Sequence, residues 1–215
     1  MATWGKTSIK DSTYEAIKSK ILHQEYKMGE PLNLTQLEKE LGISNTPIRE
    51  AISALVSEGL LVSFHNSRVH VVSFKEKDVK DLLDIDRLIT ESAFTLVLEN
   101  DRVDELVAML EERLTEQRQI IVRNNDYFEY VKAADYFDRA FIEASHNIRM
   151  NTIYDRMSNL LFLCMMHYYT SGRRSVSQNL EEHEGLIDAV RKHDPALLRE
   201  RLITHYDINK LHVEA

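Results

Sequence analysis

Residues 44–52 read SNTPIREAI, and this stretch decides the fold of the first part of the chain. Ser44 and Asn45 have side chains that can accept hydrogen bonds from the free N–H groups at the start of a helix. Pro47 then lies in the first helical turn, where its missing N–H has no intrahelical role. The pattern therefore predicts a helix from about Asn45 to Glu58 that the proline starts instead of breaking.

The predicted helix has two different faces. At 100° per residue, three aliphatic side chains share one face, namely Ile48, Ile52 and Leu55. Three polar side chains share another, namely Thr46, Arg49 and Ser53. This polar face begins at the end of the helix that enters the major groove in helix-turn-helix proteins. Arg49 has the donor geometry to contact a guanine or a phosphate there.

The residues on both sides of this helix complete a winged helix-turn-helix. Residues 11–25 and 34–41 have helical periodicity, and Gly42 is well suited to end the second of these helices. Residues 60–64 and 69–74 are β-branched and alternating, so they predict a two-stranded hairpin. From the pattern alone, the alternative is a solvated amphipathic helix followed by an unrelated hairpin.

More side chains around this fold could contact nucleic acid. Thr35 and Gln36 lie at the N-terminus of the second helix and could hold backbone phosphate. His65, Asn66 and Arg68 lie at the hairpin tip and could reach the minor groove or the sugar-phosphate backbone as a wing. The predicted DNA-binding residues are therefore Thr35, Gln36, Ser44, Asn45, Thr46, Arg49, Ser53, His65, Asn66 and Arg68.

The composition of the 215-residue chain favours a helical, globular protein in a reducing compartment. Glycine (6) and proline (3) are scarce, and a single cysteine excludes an internal disulfide. The start of the chain has no apolar signal-peptide core. The longest apolar run, residues 160–166, is far shorter than the ~20 residues that span a bilayer. We therefore expect a cytoplasmic protein with no membrane partner.

The net charge of −8 is unevenly distributed along the chain. Residues 1–74 contain eight basic and eight acidic residues, so the whole excess of negative charge lies in residues 75–215. A neutral first module can still place a local basic face on DNA. The charge pattern therefore permits DNA binding by the first part of the chain.

Residues 75–215 show helical patterns only, and the predicted fold class is mainly α. Six helices are expected, over residues 76–99, 103–123, 126–145, 148–171, 175–193 and 195–212. Six helices with short connections make an antiparallel all-helical bundle. The sequence therefore predicts two domains, a winged helix-turn-helix over residues 1–74 and a helical bundle over residues 75–215.

Three of the bundle helices each place an ionisable residue where the apolar stripe predicts a hydrophobic one. These residues are Asp138, His183 and His205. A buried charge without a partner costs several kcal/mol, so the three groups need partners. Three kinds of partner stay open: a metal ion, a polar ligand bound without a metal, and one another in a structural hydrogen-bonded cluster.

The first part of the chain resembles the DNA-binding domain of the GntR family of bacterial transcription regulators. The resemblance covers about residues 10–72 and includes the Thr-Pro-aliphatic-Arg-Glu-Ala core within 45–52 and the closing Glu-Gly-Leu of 58–60. Two departures matter, since the family usually has arginine at the position of Asn45 and glycine at the position of Arg68. The resemblance implies a homodimer that binds a near-palindromic double-stranded operator.

The second part resembles the ligand-binding helical domain of the FadR-type branch, and six helices suit its VanR-like subgroup. Members commonly bind one divalent metal ion through an Asp, a His one turn later and two further His. Alignment on Asn147 places Ala134 at the family's Asp and Asp138 at its first His, while His183 and His205 keep the family spacing of 22. The resemblance implies a zinc, nickel or manganese ion held by Asp138, His183 and His205 that recruits an effector carboxylate.

Two other residues follow from this alignment. Arg87 corresponds to a family arginine in the first bundle helix and could anchor an anionic effector, although a structural pair with Glu91 is an equal alternative. Asp135 is one residue out of register with Ala134, the position of the family's Asp, so we expect it to point elsewhere. The predicted effector-binding residues are Arg87, Asp138, His183 and His205.

The sequence as a whole predicts a dimeric transcription regulator controlled by a small-molecule effector, with no enzymatic activity. The effector implied by the resemblance is an organic acid. Two other functions are considered: a metal-dependent hydrolase that uses the Asp and His residues of the bundle, and an architectural DNA-binding dimer without a ligand. The hydrolase would need a base beside the metal-bound water, and the sequence shows none.

Overall fold

The computed structural model describes residues 8–64, 68–123 and 126–207. The chain divides into two compact units, Met1–Ser73 and Phe74–Ala215.

The first unit contains three helices and three short strands. The helices are α1 (Ile9–Leu22), α2 (Leu34–Leu41) and α3 (Asn45–Ser57), and the strands are β1 (Pro31–Leu32), β2 (Leu61–Phe64) and β3 (Arg68–Val71). The sheet is antiparallel with the order β1-β3-β2. Its core is formed by fully buried aliphatic side chains, among them Ile17, Ile21, Leu37, Ile48, Leu55 and Leu60. Each such side chain stabilises the fold by about 1.5–3 kcal/mol.

Strand β1 was not predicted, because residues 27–33 have the composition of a glycine–proline turn. Only Pro31 and Leu32 are extended, which is too short for an alternating pattern to be visible. The N–H of Gly29 donates to Val71 O at 3.0 Å, and Val71 N–H donates to Glu30 O at 2.9 Å. These bonds place the turn before α2 beside strand β3.

The turn between α2 and α3 is formed as the sequence predicts, but the cap of α3 is not. Gly42 ends α2 in the left-handed conformation, with φ of 66°, which glycine adopts without a steric penalty. Ser44 is the N-cap of α3, yet its side chain makes no cap hydrogen bond. The side-chain oxygen of Asn45 accepts a hydrogen bond from Nε of Arg49, which lies one turn later on α3. It is therefore not bonded to a free N–H group at the start of the helix. The prediction that Ser44 or Asn45 would cap α3 through its side chain is therefore wrong.

The second unit contains six helices among its described residues. They are α4 (Glu76–Glu99), α5 (Val103–Arg123), α6 (Tyr127–Ala144), α7 (Ile148–Thr170), α8 (Val176–Arg191) and α9 (Pro195–His205). Helix α4 packs against α6, α7 and α9, and α5 packs against α6 and α8. Side chains of Asp126, Asn147, Ser175 and Asp194 cap the N-termini of α6 to α9.

The predicted helix boundaries agree with these within two residues, except at the end of α9. The described helix ends at His205, with Tyr206 as its C-cap, whereas the prediction extended to residue 212; residues 208–212 of that prediction lie outside the described residues. In the part of the chain that the structure describes, no helix has the length and apolar character to span a membrane.

Candidate functional site

A cavity of about 50 Å³ lies inside the second unit and is lined from α4, α6, α7, α8, α9 and the segments that flank the last two. This volume corresponds to about four water-sized groups. Most of the lining side chains are apolar or aromatic. The ionisable ones, apart from three tyrosines, are Asp86, Asp135, Asp138, Arg174 and His205. The helical bundle therefore encloses a small chamber with charged groups of both signs.

His183 lies next to this cavity and is held in one tautomer by its neighbours. Gln117 donates through Nε2 to Ala133 O at 3.1 Å, so its Oε1 faces His183 Nδ1 at 2.9 Å and accepts from it. The Nε2 atom of His183 therefore carries a lone pair, toward which Asn179 Nδ2 points at 3.2 Å. Burial, followed by the positive charges of His205 and Arg174, holds the pKa of His183 well below its usual range. His183 is therefore a neutral imidazole, and its acceptor nitrogen lies 3.9 Å from Asp138 Oδ1.

His205 lies between two carboxylates. Its Nε2 is 3.6 Å from Asp138 Oδ1 and its Nδ1 is 3.1 Å from Glu182 Oε2. Arg174 also donates to Glu182 Oε2, at 2.6 Å, which fixes that carboxylate. Burial acts to lower the pKa of His205, but the two carboxylates outweigh burial and raise it.

Asp138, His183 and His205 together could hold a metal ion. One ligand atom from each residue lies within 4.8 Å of the other two. Nδ1 of His183 is hydrogen-bonded to Gln117, and Nδ1 of His205 is hydrogen-bonded to Glu182. Metal-binding histidines are usually oriented by such a bond from the ring nitrogen that does not bind the metal. Two histidines and one carboxylate are a known donor set for transition metals. The residues present therefore fit a divalent ion, with a three-residue donor set in place of the four that the family commonly uses.

Asp86 was missed by sequence reasoning and is the most buried carboxylate of the cavity. It is 3% exposed, and its Oδ1 has no hydrogen-bond partner among the described residues. Burial and the negative charges of Asp138 and Asp135 raise its pKa well above the usual range. Asp86 stands in the buried stripe of α4 with Leu83 and Thr90. This is the same signal that identified Asp138, so it could have been found.

Asp135 was expected to point away from the site, and this expectation is wrong. It lines the cavity and accepts from the hydroxyl of Tyr154 at 3.2 Å. Burial and the charge of Asp138 raise the pKa of Asp135 to about 7. The reason is geometric, because residues three apart lie on the same side of a helix and the cavity contacts Ala134, Asp135 and Asp138 together.

The cationic side chain of the cavity is Arg174 and not Arg87. Arg174 is 6% exposed, and its Nε and Nη1 atoms have no hydrogen-bond partner among the described residues. Arg87 is not among the residues that line the cavity; it forms the predicted i,i+4 ion pair with Glu91. No periodicity marks Arg174, which lies in the loop between α7 and α8 beside the exposed Arg173.

On the first unit, one surface groove brings together many of the predicted DNA-binding residues. Those that line it are Thr35, Gln36, Asn45, Arg49 and Arg68. Ser44, Thr46 and Ser53 are exposed near or on α3 but do not line the groove. His65 and Asn66 lie outside the described residues, whereas Arg68 is the first residue of β3.

Two details limit how these side chains can act. The backbone N–H groups of Thr35 and Gln36 both donate to Asn33 Oδ1 and are not free to bind a phosphate. A phosphate at this end of α2 would therefore be bound by the side chains of Thr35 and Gln36. Arg68 pairs with Phe64 in the antiparallel ladder, so the arginine found in place of the family's glycine lies in a regular strand. The groove thus presents two arginines, Arg49 and Arg68, beside polar side chains.

Both units of the chain match known protein families. Residues 9–71 match the family of bacterial regulatory proteins, gntR family, and residues 81–207 match the FCD domain family. The uncharacterized HTH-type transcriptional regulator YdhC of Bacillus subtilis (strain 168) is 27% identical over 201 residues, which is 94% of this chain and 89% of that protein. The gluconate operon transcriptional repressor of Bacillus licheniformis is 23% identical over 195 residues, which is 89% of this chain and 79% of that protein.

Solved structures show the same fold. E. coli McbR/YncC has a TM-score of 0.70 at 21% identity and covers 95% of this chain and 96% of its own. A GntR regulator from Rhodococcus sp. RHA1 has a TM-score of 0.71 at 16% identity and covers 94% and 95%. The matched families and curated relatives are transcriptional regulators and not enzymes. The expectation that the chain is not an enzyme is therefore confirmed, and the hydrolase alternative finds no support.

Proposed function

This chain belongs to the GntR family, as a transcription regulator with an FCD effector-binding domain, and from that premise we propose that an organic acid bound in the cavity controls its affinity for an operator. The observation that supports the proposal is the cavity itself. It is lined by Arg174, a buried arginine with unpartnered N–H groups, and by Asp138 and His205, which together with the adjoining His183 could hold a metal ion. Both features favour an anionic ligand.

A carboxylate can offset the desolvation of Arg174. A buried guanidinium costs several kcal/mol unless its donors are used, and its fork matches the two oxygens of a carboxylate. Nη2 donates to Glu182, whereas Nε and Nη1 have no hydrogen-bond partner among the described residues. The carboxylate of an effector would use the remaining donors.

Asp138, His183 and His205 would hold the metal ion. When bound, a divalent ion supplies a second positive centre that attracts a carboxylate oxygen. Gln117 and Glu182 keep each Nδ1 occupied, which directs the Nε2 atoms of His183 and His205 inward. Asn179 orients a donor toward the same Nε2 of His183 and would have to rotate when the metal is bound.

The DNA-binding part of the proposal uses the groove on the first unit. Two copies of the chain in a homodimer would place two α3 helices in successive major grooves of a near-palindromic operator, ~34 Å apart or a multiple of that. Arg49 would read a base or hold a phosphate. Arg68, Thr35 and Gln36 would hold the backbone on both sides.

The effector changes operator affinity only if it favours one arrangement of the two DNA-binding units over another. Helix α4 is the proposed transmitter of this change. It begins at Glu76, directly after the boundary between the units, and contributes Leu83 and Asp86 to the cavity.

The test is an operator-binding measurement with and without acids. DNA selected from a random pool by the purified protein is labelled, and its affinity is measured by fluorescence anisotropy against a panel of organic acids. We expect at least one acid to change operator affinity about tenfold, within the usual range of allosteric coupling. The response should be lost in Arg174→Gln and kept in Arg173→Gln, its exposed neighbour. A response that survives in Arg174→Gln would contradict the cavity as the effector site.

The metal is tested separately. Elemental analysis should find about one divalent ion per chain in the wild type and in His146→Ala, which changes an exposed histidine outside the cluster. His183→Ala and His205→Ala should lose the ion. A wild-type protein without metal, whose melting temperature does not respond to chelators or added metal, would contradict the metal site but leave DNA binding intact.

A further inference from the structure

We propose that the effector is a zwitterion, an amino acid whose ammonium group is bound by Asp86 and Asp135 while its carboxylate is bound at the Arg174 end of the cavity. The inference rests on the proposed function and specifies its ligand more narrowly. It assigns a role to the two carboxylates of the cavity that a simple organic acid would leave unexplained.

The first observation is the state of Asp86. Asp86 is 3% exposed, and its Oδ1 has no hydrogen-bond partner among the described residues. A buried acceptor without a hydrogen-bond partner destabilises the folded protein, and more so when it is charged. Since this side chain lines the cavity, a donor on a bound ligand can supply the missing partner.

The second observation is independent and concerns the opposite charge. Arg174 is buried to a similar degree, lines the same cavity and has unpartnered Nε and Nη1 atoms. A purely anionic ligand satisfies Arg174 but adds negative charge near Asp86, Asp135 and Asp138. A purely cationic ligand satisfies the carboxylates and leaves Arg174 without a partner. A ligand that carries both charges satisfies both.

An ammonium group fits the acidic end better than a hydroxyl group does. A hydroxyl donates one hydrogen bond and can satisfy one carboxyl oxygen, whereas an ammonium has three donors and a positive charge that favours the ionised form of both carboxyl groups. The group that could hold a metal ion consists of Asp138, His183 and His205. Asp86 and Asp135 lie outside this group, so their carboxyl groups stay available to an ammonium group. Four aromatic side chains also line the cavity, Tyr154, Phe162, Tyr169 and Tyr206, and aromatic faces attract cations.

The rest of the lining indicates the side chain of the amino acid. The lining also includes four apolar side chains, Leu83, Val131, Leu161 and Met165. The cavity volume of about 50 Å³ admits few non-hydrogen atoms without widening. The geometry therefore favours a small or medium-sized amino acid with an aliphatic or thioether side chain.

The experiment measures binding of matched probes by calorimetry to the full-length protein. The probes are alanine, valine, leucine and methionine. Each is compared with its 2-hydroxy acid, with the acid that lacks the amino group and with the amine that lacks the carboxylate. We expect at least one amino acid to bind about tenfold or more tightly than all three of its analogues, because a charge-assisted hydrogen bond to a buried partner has that magnitude.

The variants separate this specific role from general effects on folding. Asp86→Asn should reduce the preference for the amino acid over its des-amino analogue by about tenfold or more. Asp135→Asn is a second variant in case Asp86→Asn folds poorly, and circular dichroism and melting curves check both. Asp81→Asn, an exposed change on the same helix, should leave the preference unchanged.

Three results would overturn the inference: hydroxy acids or plain acids that bind as tightly as the amino acids, no binding by any of the four amino acids, or an unchanged preference in both Asp86→Asn and Asp135→Asn. A plain acid that changes operator affinity through Arg174 would support the proposed function and overturn only the zwitterion. If no acid of any kind changes operator affinity, the proposed function fails, whatever the calorimetry shows about the cavity.

Discussion

The side-chain oxygen of Asn45 accepts a hydrogen bond from Nε of Arg49, one turn later on α3. Both residues line the groove of the first unit. The bond occupies one edge of the guanidinium and leaves the two terminal nitrogens for another partner. GntR relatives usually carry arginine where this chain has Asn45, and an arginine could not accept this bond. Asn45 therefore acts on Arg49 by holding its orientation.

A double-mutant cycle tests this coupling. Arg49→Ala should weaken binding to the selected operator by about 1–3 kcal/mol and relax the preference at one base pair. Asn45→Ala should cost less, about 0.5–1 kcal/mol, because Arg49 keeps its charge and loses only its fixed orientation. The two changes in binding free energy should be non-additive, because Asn45→Ala should hardly change the affinity once Arg49 is absent. Fluorescence anisotropy gives all four affinities.

Arg49→Lys serves as the control of this cycle, because it keeps the charge and removes the planar fork. It should recover the salt-dependent part of binding but not the base preference. If Arg49→Ala binds every sequence as the wild type does, Arg49 does not contact the groove of the DNA. Additive effects in the cycle would show that the bond seen on α3 has no role in binding.

The helices of the bundle could be predicted from sequence because two local signals agree there. Apolar periodicity gives each helix, and side chains such as Asp126, Asn147 and Asp194 mark its start with an N-cap hydrogen bond. The cap of α3 could not be predicted in the same way. Asn45 can accept either from a helix N–H or from Arg49, and the two bonds have similar energy, so the sequence does not decide between them.

The candidate site could be predicted only in part. Asp138, His183 and His205 interrupt apolar stripes, and Asp86 gives the same signal on α4, where it was overlooked. Arg174 could not be found by this means, because it lies in a loop and only the packing of α7, α8 and α9 buries it while leaving Arg173 exposed. The contribution of a loop side chain to a cavity is a property of tertiary packing and leaves no periodic trace.

Gln117 is predicted to be important for the stability of the bundle and for the orientation of His183. It is fully buried, and it satisfies both Ala133 O and His183 Nδ1. Gln117→Leu fits a similar volume but leaves His183 Nδ1–H unpaired and removes a second hydrogen bond to Ala133 O, so it should lower the free energy of unfolding by about 1–3 kcal/mol. It should also weaken metal binding about 10–100-fold, because His183 loses its orienting acceptor.

Denaturant unfolding and metal titration measure the two effects of Gln117→Leu. The matched control is Gln119→Leu, an exposed position on the same helix, which should change the stability by less than about 0.5 kcal/mol. A Gln117→Leu protein as stable as the control would show that the buried hydrogen bonds of this network are replaceable.

Two glycines should respond in opposite directions to the same change. Gly42 has φ of 66° at the end of α2, so Gly42→Ala should cost about 1–2 kcal/mol through backbone strain alone, since no atom lies within 4 Å of the added methyl group. Gly185 lies inside α8, and its added methyl group would meet Arg201 Cδ at an ordinary 3.5 Å. Gly185→Ala should therefore stabilise the protein by about 0.5–1 kcal/mol. Melting curves that shift in the same direction for both variants would contradict this assignment.

Asp135 should make the stability of the protein depend on pH between about 4 and 7. Burial, followed by the charge of Asp138, raises the pKa of Asp135 from an ordinary value of 3.8 to about 7 in the folded chain. Between these values the folded state holds a proton that the unfolded state has released. This carboxyl group therefore lowers the free energy of unfolding as the pH rises, by at most about 1.4 kcal/mol per pH unit, and the loss is complete above pH ~7.

Asp135→Asn removes this titration and keeps an oxygen that can accept from Tyr154. The difference in unfolding free energy between Asp135→Asn and the wild type should grow in favour of the variant from pH ~4 to ~7 and then stay constant. Urea unfolding in the presence of a chelator measures this difference without a contribution from metal binding. Asp188→Asn, which changes an exposed carboxylate paired with Lys192, should show no such trend. A flat difference for Asp135→Asn over the same range would mean that Asp135 is ionised in the folded protein at acidic pH, and that the cavity compensates its charge before any ligand arrives.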